Sequence, residues 1–434
     1  MSLSTQAYKG ARDFYPVDKR FQKWMFDKWR KTVESFGYEE YDAPILEPLE
    51  LYLSKTSEEV VSEQTYAFED RGGRKVTLRP EMTPTVSRMV AAKRQELAYP
   101  LRWYSIPNLW RYERPQRGRL REHWQLNVDI FGAEGVEGDF EVIQVADALL
   151  QEFGAKRDTY TIKVNSRKLM NYIMHKHFAL NDVQAVTLIR LIDHMHKMDH
   201  AEFVAKLDAV LTPTQRESDT ATRILELLKV KTLKELAGKI AEKELLTELQ
   251  QVFDLAGQTH ISNIEFDITV MRGFDYYTGL VFEVFDNHPE NNRAMFGGGR
   301  YDGLVGLFGV DSVATVGFGM GDVTFQNFLE LRGLMPKLHG VVDTYVVLIG
   351  DVYEQSQKVL SDLRGMGVNV AVDTSGKKLD KQLKSAVKKG VKYVLFVGEK
   401  ELESGRFTLK NLDTGKEESH GLERIVSIVK DHRS

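Results

Sequence analysis

Two strand-like segments joined by an arginine-rich loop restrict the fold of this chain more than any other feature. Residues 101–110 and 122–131 have the composition of paired antiparallel strands, and residues 113–121 connect them. The connection is strongly basic and carries four arginines, namely Arg114, Arg117, Arg119 and Arg121. This arrangement predicts an antiparallel sheet with a cationic loop at one end.

The returning segment carries polar residues at every second position. Gln125, Asn127 and Asp129 therefore share one face of the sheet, and Arg111 and Glu113 are predicted to share a face of the outgoing strand. Guanidinium groups bind phosphate through paired donors, so such a loop over a polar face suits a polyphosphate or an RNA end. A solvated hairpin tip is the alternative, but alternating polar residues in an otherwise apolar sheet argue against it.

Three shorter motifs could carry chemistry, although each has a plain structural alternative. Residues 272–279 (RGFDYYTG) place two tyrosines beside an arginine and an aspartate, which suits a small polar ligand or a packed strand entry. Residues 297–303 (GGGRYDG) allow close approach of a ligand or another strand, or form a plain turn. In residues 77–83, Glu81 and Thr83 are placed to accept hydrogen bonds from an ammonium group.

Composition excludes several classes of protein. The 434 residues are 42% hydrophobic and 28% charged, which indicates two to four globular domains rather than a disordered or fibrous chain. With a net charge of -4, any contact with nucleic acid must use local basic patches. The absence of cysteine excludes disulfides, a thiol nucleophile and cysteine-bound metals. Without a membrane-length apolar stretch or a secretory signal at the start, we expect a cytoplasmic protein.

The pattern of secondary structure changes along the chain. Residues 165–257 are almost entirely helical in pattern and interrupt a region of strand signals. After a linker at residues 334–342, strands and helices alternate as in a compact α/β domain. A run of histidines (His194, His196 and His200) lies in the helical region, but it lacks a metal-binding arrangement such as HExxH, and we predict no protein-only metal site.

Together these motifs resemble the histidyl-tRNA synthetase family, which belongs to the class II aminoacyl-tRNA synthetases. The resemblance extends from Gly10 to about Val429. Six segments carry it, namely residues 9–16 (KGARDFYP), 37–48 (GYEEYDAPILEP), 78–83 (LRPEMT), 110–132 (WRYERPQRGRLREHWQLNVDIFG), 272–285 (RGFDYYTGLVFEVF) and 297–304 (GGGRYDGL). The last two resemble the histidine-specific blocks, which separate this family from its prolyl, threonyl and glycyl relatives.

The resemblance implies an α+β fold made of a catalytic domain, a helical insertion and an anticodon-binding domain. A class II antiparallel-sheet catalytic domain is expected at residues 1–332, with a helical insertion at 166–258 and an α/β anticodon-binding domain at 343–434. The implied activity joins L-histidine to tRNA(His) through histidyl-adenylate, with ATP as substrate and Mg²⁺ as cofactor. The segment 37–48 resembles the motif that forms the homodimer of these enzymes.

The resemblance also implies roles for individual residues. Arg111 and Arg272 correspond to catalytic arginines at the α-phosphate, Glu113 to a residue near the adenine, and Arg119 to a contact of the ATP phosphates. Fixed cations there would stabilise the negative charge of the transition state. Histidine binding is implied for a larger set, namely Glu81, Met82, Thr83 and Gln125 around the ammonium group and Asp129, Tyr276, Tyr277 and Tyr301 around the imidazole.

Two positions depart from the family pattern. Asp129 stands where the family often has glutamate, so a water molecule or a small shift could complete its contact with the imidazole. Thr324 stands where the family usually has an arginine that contacts the γ-phosphate, and Arg332 is too far along the chain to replace it. Either another cation such as Arg119 takes over, which we favour, or the enzyme is weakened. We expect that Thr324→Arg is not needed for activity.

In the C-terminal region, Lys381 and Lys384 are predicted to contact tRNA on the anticodon side, although a solvated lysine face would look the same. Two rival functions are a catalytically inactive relative that regulates ATP phosphoribosyltransferase and a degenerate RNA sensor. The regulatory relative normally lacks the C-terminal domain and ATP-binding arginines. This chain keeps both, so the synthetase is the favoured interpretation.

Overall fold

The computed structural model describes residues 3–53, 64–114, 118–195, 198–271, 276–291 and 293–431. The chain divides into two compact units. The first contains Met1–Phe14 and Gln22–Met335, and the second contains Tyr15–Phe21 and Pro336–Ser434. The bounds 1–332, 166–258 and 343–434 given above stay predictions.

The first unit is built on a nine-stranded sheet. Its strands and those of a small three-stranded sheet are β1 Glu39–Glu40, β2 Leu46–Pro48, β3 Tyr66–Glu69, β4 Lys75–Leu78, β5 Leu101–Ser105, β6 Asn108–Trp110, β7 Glu122–Phe131, β8 Tyr160–Ser166, β9 Ile264–Phe266, β10 Leu280–Asp286, β11 Ala294–Arg300 and β12 Thr315–Gly321. The order in the large sheet is β1-β5-β7-β12-β11-β10-β8-β9, with β6 paired to β7, and the small sheet runs β2-β4-β3.

The centre of the large sheet is antiparallel, as expected. Each neighbouring pair from β5 to β8 is antiparallel, whereas the edge strands β1 and β9 pair in parallel. The α+β class and the synthetase-type antiparallel sheet are therefore confirmed. The predicted strand 101–110 is interrupted at Pro107, which has no N–H to donate to a ladder.

The glycine run at residues 297–299 lies inside strand β11 rather than in a turn. A β-carbon on Gly298 would lie 1.9 Å from the carbonyl oxygen of Gly317 on the neighbouring strand. Of the alternatives left open by the sequence, close approach of two strands is the one found here. Glycine is required because no side chain fits between these backbones.

Twelve α-helices surround the sheets in the described part of the first unit. They are α1 Pro16–Glu34, α2 Glu50–Leu53, α3 Thr83–Ala92, α4 Val136–Glu152, α5 Arg167–Tyr172, α6 Asp182–Asp193, α7 His200–Val210, α8 Pro213–Glu217, α9 Thr220–Leu228, α10 Leu233–Ala237, α11 Thr247–Gln258 and α12 Asp322–Leu331. Helices α5 to α11 fall between β8 and β9, where the sequence has its helical pattern. None of the helices in the described ranges is long and apolar enough to span a membrane.

Helix α1 anchors the core because its apolar residues recur at helical spacing. Met25, Trp29 and Val33 are almost fully buried. The Trp29 ring lies 5.9 Å from that of Phe325 in α12, and the Phe325 ring lies 4.7 Å from that of Phe153. Burying one such side chain contributes about 1.5–3 kcal/mol. This aromatic cluster therefore fixes α12 against the sheet.

The second unit is a mixed five-stranded sheet with four helices. Its elements are β13 Thr344–Ile349, α13 Tyr353–Gly365, β14 Val370–Val372, α14 Leu379–Lys388, β15 Tyr393–Gly398, α15 Glu399–Ser404, β16 Phe407–Asn411, β17 Glu417–His420 and α16 Leu422–Lys430. The order is β14-β13-β15-β16-β17, in which the first three strands are parallel. On α14, Lys381 and Lys384 are exposed while Gln382 and Ala386 are buried.

Candidate active site

A cavity of about 110 Å³ opens on the polar face of the large sheet. Strands β7 and β12, the segment that leads into α3, and the segments after β6, before β10 and after β11 contribute to it. Most residues expected to bind histidine or ATP line this cavity, namely Glu81, Thr83, Arg111, Gln125, Asp129, Tyr276, Tyr277 and Tyr301. Residues from five separate parts of the sequence are thereby brought together.

Strand β7 forms a polar wall of the cavity because polar and apolar residues alternate along it. Gln125, Asn127 and Asp129 line the cavity, whereas Leu126 and Val128 between them are fully buried in the core. The Gln125 amide donates to Asn127 at 2.6 Å, which fixes both side chains. The bounds of this strand, Glu122–Phe131, agree with the sequence prediction.

Glycines of β12 form the floor of the cavity, and sequence reasoning missed their role. Gly317 pairs with Asp129 in the ladder, and Gly319 pairs with Asn127. A β-carbon on Gly317 would lie 2.2 Å from the Asp129 carboxylate, and one on Gly319 would lie 2.3 Å from the Gln125 amide nitrogen. The signal was available, because glycine recurs at every second position of residues 317–321. Without those glycines the cavity would be filled.

Asp129 is the buried acid of the cavity. Burial raises its pKa to about 7, and a hydrogen bond from the Tyr301 hydroxyl opposes that rise. The pKa of Tyr301 is itself raised, first by burial and then by the negative charge of Asp129. This pair can therefore present either a carboxylate or a carboxylic acid to a ligand near neutral pH.

A second acid lies on the other side of the cavity. Glu81 is 2% exposed, and the Tyr276 hydroxyl donates to its carboxylate at 3.5 Å. The Tyr276 ring is 4.9 Å from the Tyr277 ring and 5.6 Å from the Tyr301 ring. Three phenols thus stand between two carboxylates, an arrangement that offers donors and acceptors to a small polar cation.

The residues around Glu81 are arranged by the start of α3. Thr83 is the first residue of the helix and lines the cavity. Met82 precedes it and is 1% exposed, but it does not line the cavity. Its expected role in histidine binding therefore stays a prediction.

The cationic side of the site differs in part from the sequence prediction. Strand β6 ends at Trp110, so the prediction that Arg111 and Glu113 share a strand face is wrong. The backbone after β6 instead turns, since the Glu113 N–H donates to the Arg111 carbonyl at 2.8 Å. The Arg111 Nε donates to the Pro80 carbonyl at 2.8 Å, and this bond holds its guanidinium at the cavity.

Glu113 and Arg119, which were also predicted to bind ATP, do not line the cavity. Arg119 pairs with Glu113 at 3.5 Å, and its side chain is 52% exposed. Arg272 lies outside the described residues, together with Gly273, Phe274 and Asp275. The ATP-binding roles of Glu113, Arg119 and Arg272 therefore stay predictions.

Thr324, which stands where the family usually has an arginine, uses its hydroxyl group on backbone carbonyls of the protein. The Thr324 hydroxyl donates to the Met295 carbonyl at 3.0 Å and lies 3.2 Å from the Gly321 carbonyl oxygen. A β-carbon on Gly118 would lie 3.4 Å from the Thr324 methyl group. Gly118 of the arginine-rich loop therefore lies close to Thr324 in the first turn of α12.

A larger cavity of about 670 Å³ lies between α6 and α7 in the helical insertion. Its lining includes Arg190, His194 and Lys206 but no acidic residue. His196 lies outside the described residues, and elsewhere in the described ranges no three His, Asp or Glu side chains stand together as a metal cage. This cavity does not combine acids and cations as the sheet cavity does.

An antiparallel sheet of this order, with an acid-lined cavity and a fixed arginine on one face, defines a class II aminoacyl-tRNA synthetase. Family comparisons narrow the class. A family model described as histidyl-tRNA synthetase matches residues 10–321, and one described as an anticodon binding domain matches residues 343–432. The chain belongs to the histidyl-tRNA synthetase family.

Individual relatives agree with this assignment. A histidine–tRNA ligase of Leptospira biflexa is 39% identical over 437 residues, which cover 100% of this chain and 99% of the relative. One of Haloarcula marismortui is 38% identical over 95% of this chain and 94% of its own length. The crystal structure of histidyl-tRNA synthetase from Nostoc has the same fold, with a TM-score of 0.82 at 22% identity over 99% of this chain and 100% of that one.

Proposed function

We propose that this protein is a histidine–tRNA ligase, which forms histidyl-adenylate from L-histidine and ATP and then transfers histidine to the 3′ end of tRNA(His). The observation that carries the proposal is the cavity in which Glu81, Asp129 and Arg111 meet around three phenols. Membership of the histidyl-tRNA synthetase family supports the same reaction.

The proposed histidine site uses the two acids for the two ends of the substrate. Glu81, Thr83 and Gln125 accept hydrogen bonds from the ammonium group, while Asp129 and Tyr277 bind the imidazole. Tyr276 and Tyr301 shape the cavity and hold the two carboxylates. A site built from paired polar groups rejects an apolar analogue strongly, because that analogue leaves buried donors and acceptors without partners.

The proposed chemistry needs no general base, because the substrate carboxylate is already a nucleophile. It attacks the α-phosphorus of ATP, and pyrophosphate leaves. Arg111 and Arg272 neutralise the charge that gathers on the phosphoryl oxygens in the transition state. Catalysis on this view consists of positioning and electrostatic stabilisation. Glu113 and Arg119 are proposed to contact the adenine and the phosphates, respectively.

Mg²⁺ is proposed to enter with ATP rather than to occupy a site made by the protein alone. Mg²⁺ commonly binds nucleotide phosphates and keeps several water ligands. The described residues contain no cluster of three acids or histidines that would form a cage, which fits this mode. When bound, the ion would neutralise phosphate charge, and none of the residue roles above depends on it.

The second unit is proposed to bind the anticodon side of tRNA through Lys381 and Lys384, both exposed on α14. From family membership alone we further propose a homodimer that works in the cytoplasm. Charge reversal at both lysines should raise the KM for tRNA several-fold by removing phosphate contacts. Adenylate formation should not change, and an equal loss in both half-reactions would contradict the lysine assignment. Light scattering of the purified protein tests the dimer.

Exchange of labelled pyrophosphate into ATP tests the proposed function most directly. The purified protein should support exchange with histidine and not with the other amino acids. Both rival functions, the regulatory subunit and the RNA sensor, predict no exchange with any amino acid. Absence of histidine-dependent exchange would therefore overturn the proposal, and exchange by the natural protein would confirm that Thr324→Arg is not required.

A further inference from the structure

The N-terminal segment is built into the edge of the site at the start of β7. The Gly10 carbonyl accepts the backbone N–H groups of Arg121 and Glu122 at 2.9 and 3.1 Å, and the Arg121 guanidinium donates to the Tyr8 hydroxyl at 3.1 Å. Gly10 has a φ of +87°, and a β-carbon there would lie 2.7 Å from the Arg121 side chain. This glycine-dependent contact fixes the segment, so Arg12, two residues later, has a defined position.

The Arg12 guanidinium reaches the first turn of α12. One of its terminal nitrogens lies 2.6 Å from a carboxylate oxygen of Asp322, whose other oxygen accepts the Trp124 N–H at 3.0 Å. Asp322 is buried, whereas the Arg12 side chain is 24% exposed. Its guanidinium carbon lies 4.9 Å from the Phe14 ring and 5.8 Å from the Trp124 ring. The guanidinium is therefore held in one orientation but stays partly accessible to a ligand.

The charges of Arg12 and Arg111 both act on His123, a residue of β7. The pKa of His123 is lowered to about 3, first by burial and then by the positive charges of Arg111 and Arg12. His123 lies two residues before Gln125 on β7, so both side chains share the polar face of the strand. Positive charge thus continues along this face from the cavity towards the first turn of α12.

That turn carries no cation of its own. Its first residues are Asp322, Val323 and Thr324, and the Thr324 hydroxyl is used on the Met295 carbonyl. An arginine side chain has five N–H donors, and Asp322 engages the Arg12 side chain through a single terminal nitrogen. The Arg12 Nε is buried and has no hydrogen-bond partner among the described residues. Donor capacity therefore remains for an anionic ligand.

We propose that Arg12 binds the β- and γ-phosphates of ATP at the first turn of α12, where position 324 offers no charge. The inference rests on the proposed function, because it names a further residue for the same nucleotide. Asp322 orients the guanidinium, and the remaining N–H groups donate to the phosphate oxygens in the paired geometry that arginine favours. The cation is supplied by a segment 310 residues away in sequence from its carboxylate partner.

Kinetics of pyrophosphate exchange in the full-length protein test this role with two matched variants. Arg12→Ala should raise the KM for ATP and for pyrophosphate about 10- to 100-fold, the loss expected for a charge-assisted hydrogen bond. The KM for histidine and inhibition by AMP should change less than about two-fold. Asp322→Asn can keep the hydrogen bond that orients the guanidinium while it removes the competing negative charge, so the KM for ATP should stay the same or fall.

The different responses of the KM for ATP in the two variants separate phosphate binding from a structural role. If Arg12 only holds Asp322 in place, both variants will raise the KM for ATP equally, and the double variant will be no worse than either; that result overturns the proposal. Thermal unfolding shows whether Arg12→Ala folds, and Arg12→Gln replaces it if it does not. Absence of histidine-dependent exchange in the unmodified protein would instead contradict the proposed function.

Discussion

The imidazole side and the nucleotide side of the cavity are built in different ways. On the proposed imidazole side, Asp129 is buried and accepts a hydrogen bond from the Tyr301 phenol. On the nucleotide side, Arg119 is half exposed and paired with Glu113. The first is preformed by strand register, whereas the second depends on a loop. On the proposed function, we therefore expect specificity for the amino acid to be set before binding and the nucleotide contacts to be completed when ATP binds.

The largest effect should come from Arg111, the predicted nucleotide-side cation that lines the cavity among the described residues. Arg111→Ala should lower kcat for pyrophosphate exchange about 10²–10³-fold, because a fixed cation at developing negative charge is lost. The KM for histidine should change little. Arg74, which is 79% exposed and pairs with Asp70, provides a surface control, and Arg74→Ala should keep full activity. A kcat for Arg111→Ala within two-fold of the unmodified enzyme would show that Arg111 is not part of the chemistry.

The strand register on the imidazole side can be tested by adding a single methyl group. Gly317→Ala places a β-carbon 2.2 Å from the Asp129 carboxylate, so the acid must move and the KM for histidine should rise about 10- to 100-fold. Gly303→Ala is the matched control, since a β-carbon there meets nothing within 4 Å. Steady-state kinetics at saturating ATP measures both. Equal values for the two variants would mean that the floor of the cavity does not position the acid.

The same contrast explains what the sequence could predict. The polar alternation of β7 has a period of two, so Gln125 and Asp129 were predicted correctly to share a face and they line one cavity. The glycines at 317 and 319 were missed because their meaning depends on which strand lies beside them. Arg12 was missed because its partner is 310 residues away in sequence. Local periodicity is visible in a single segment, but pairing across the sheet is not.

Irregular backbone was also beyond prediction from periodicity. The strand through Arg111 and Glu113 was extrapolated from the alternation before it, but β6 ends at Trp110. Pro107 interrupts the strand before β6, and β6 pairs with β7 only over Asn108–Trp110. Nucleotide-side residues therefore follow loop geometry, which no repeating pattern records. Binding residues often lie on such loops because a rigid scaffold holds their ends.

A change in pH should distinguish the two sides further through Tyr301. Its hydroxyl donates to Asp129 and opposes the rise in pKa that burial causes. Tyr301→Phe removes that bond, so the pKa of Asp129 should rise by about one unit or more from its present value near 7. Because the proposed imidazole contact uses the carboxylate, kcat/KM for histidine should fall at pH 7 by about five-fold or more and recover towards pH 9.

The matching measurement is kcat/KM for ATP over the same pH range at saturating histidine. This value should differ little between Tyr301→Phe and the unmodified enzyme, because Arg111 keeps its charge throughout. Using both proteins removes the contribution of the substrate imidazole, which titrates identically in each. A profile for histidine that does not shift to higher pH would contradict the role of the phenol.

The smallest predicted effect concerns stability rather than catalysis, and it follows from the same buried acid. The pKa of Asp129 is about 7 in the folded protein and near 3.8 when exposed, so the folded state binds the proton more tightly. Its contribution to stability is therefore lost as pH rises from about 4 to about 7. Asp129→Asn removes this loss and should raise the Tm by about 2–5 °C at pH 8 and by less at pH 5.

Asp70 has a pKa lowered by hydrogen bonds from Arg74, so Asp70→Asn should not raise the Tm at pH 8. If Asp129→Asn gains stability and loses histidine-dependent exchange, the imidazole side is held in a destabilised, preformed state. A lower Tm for Asp129→Asn at pH 8 would instead show that the acid is stabilised by its surroundings in the absence of substrate.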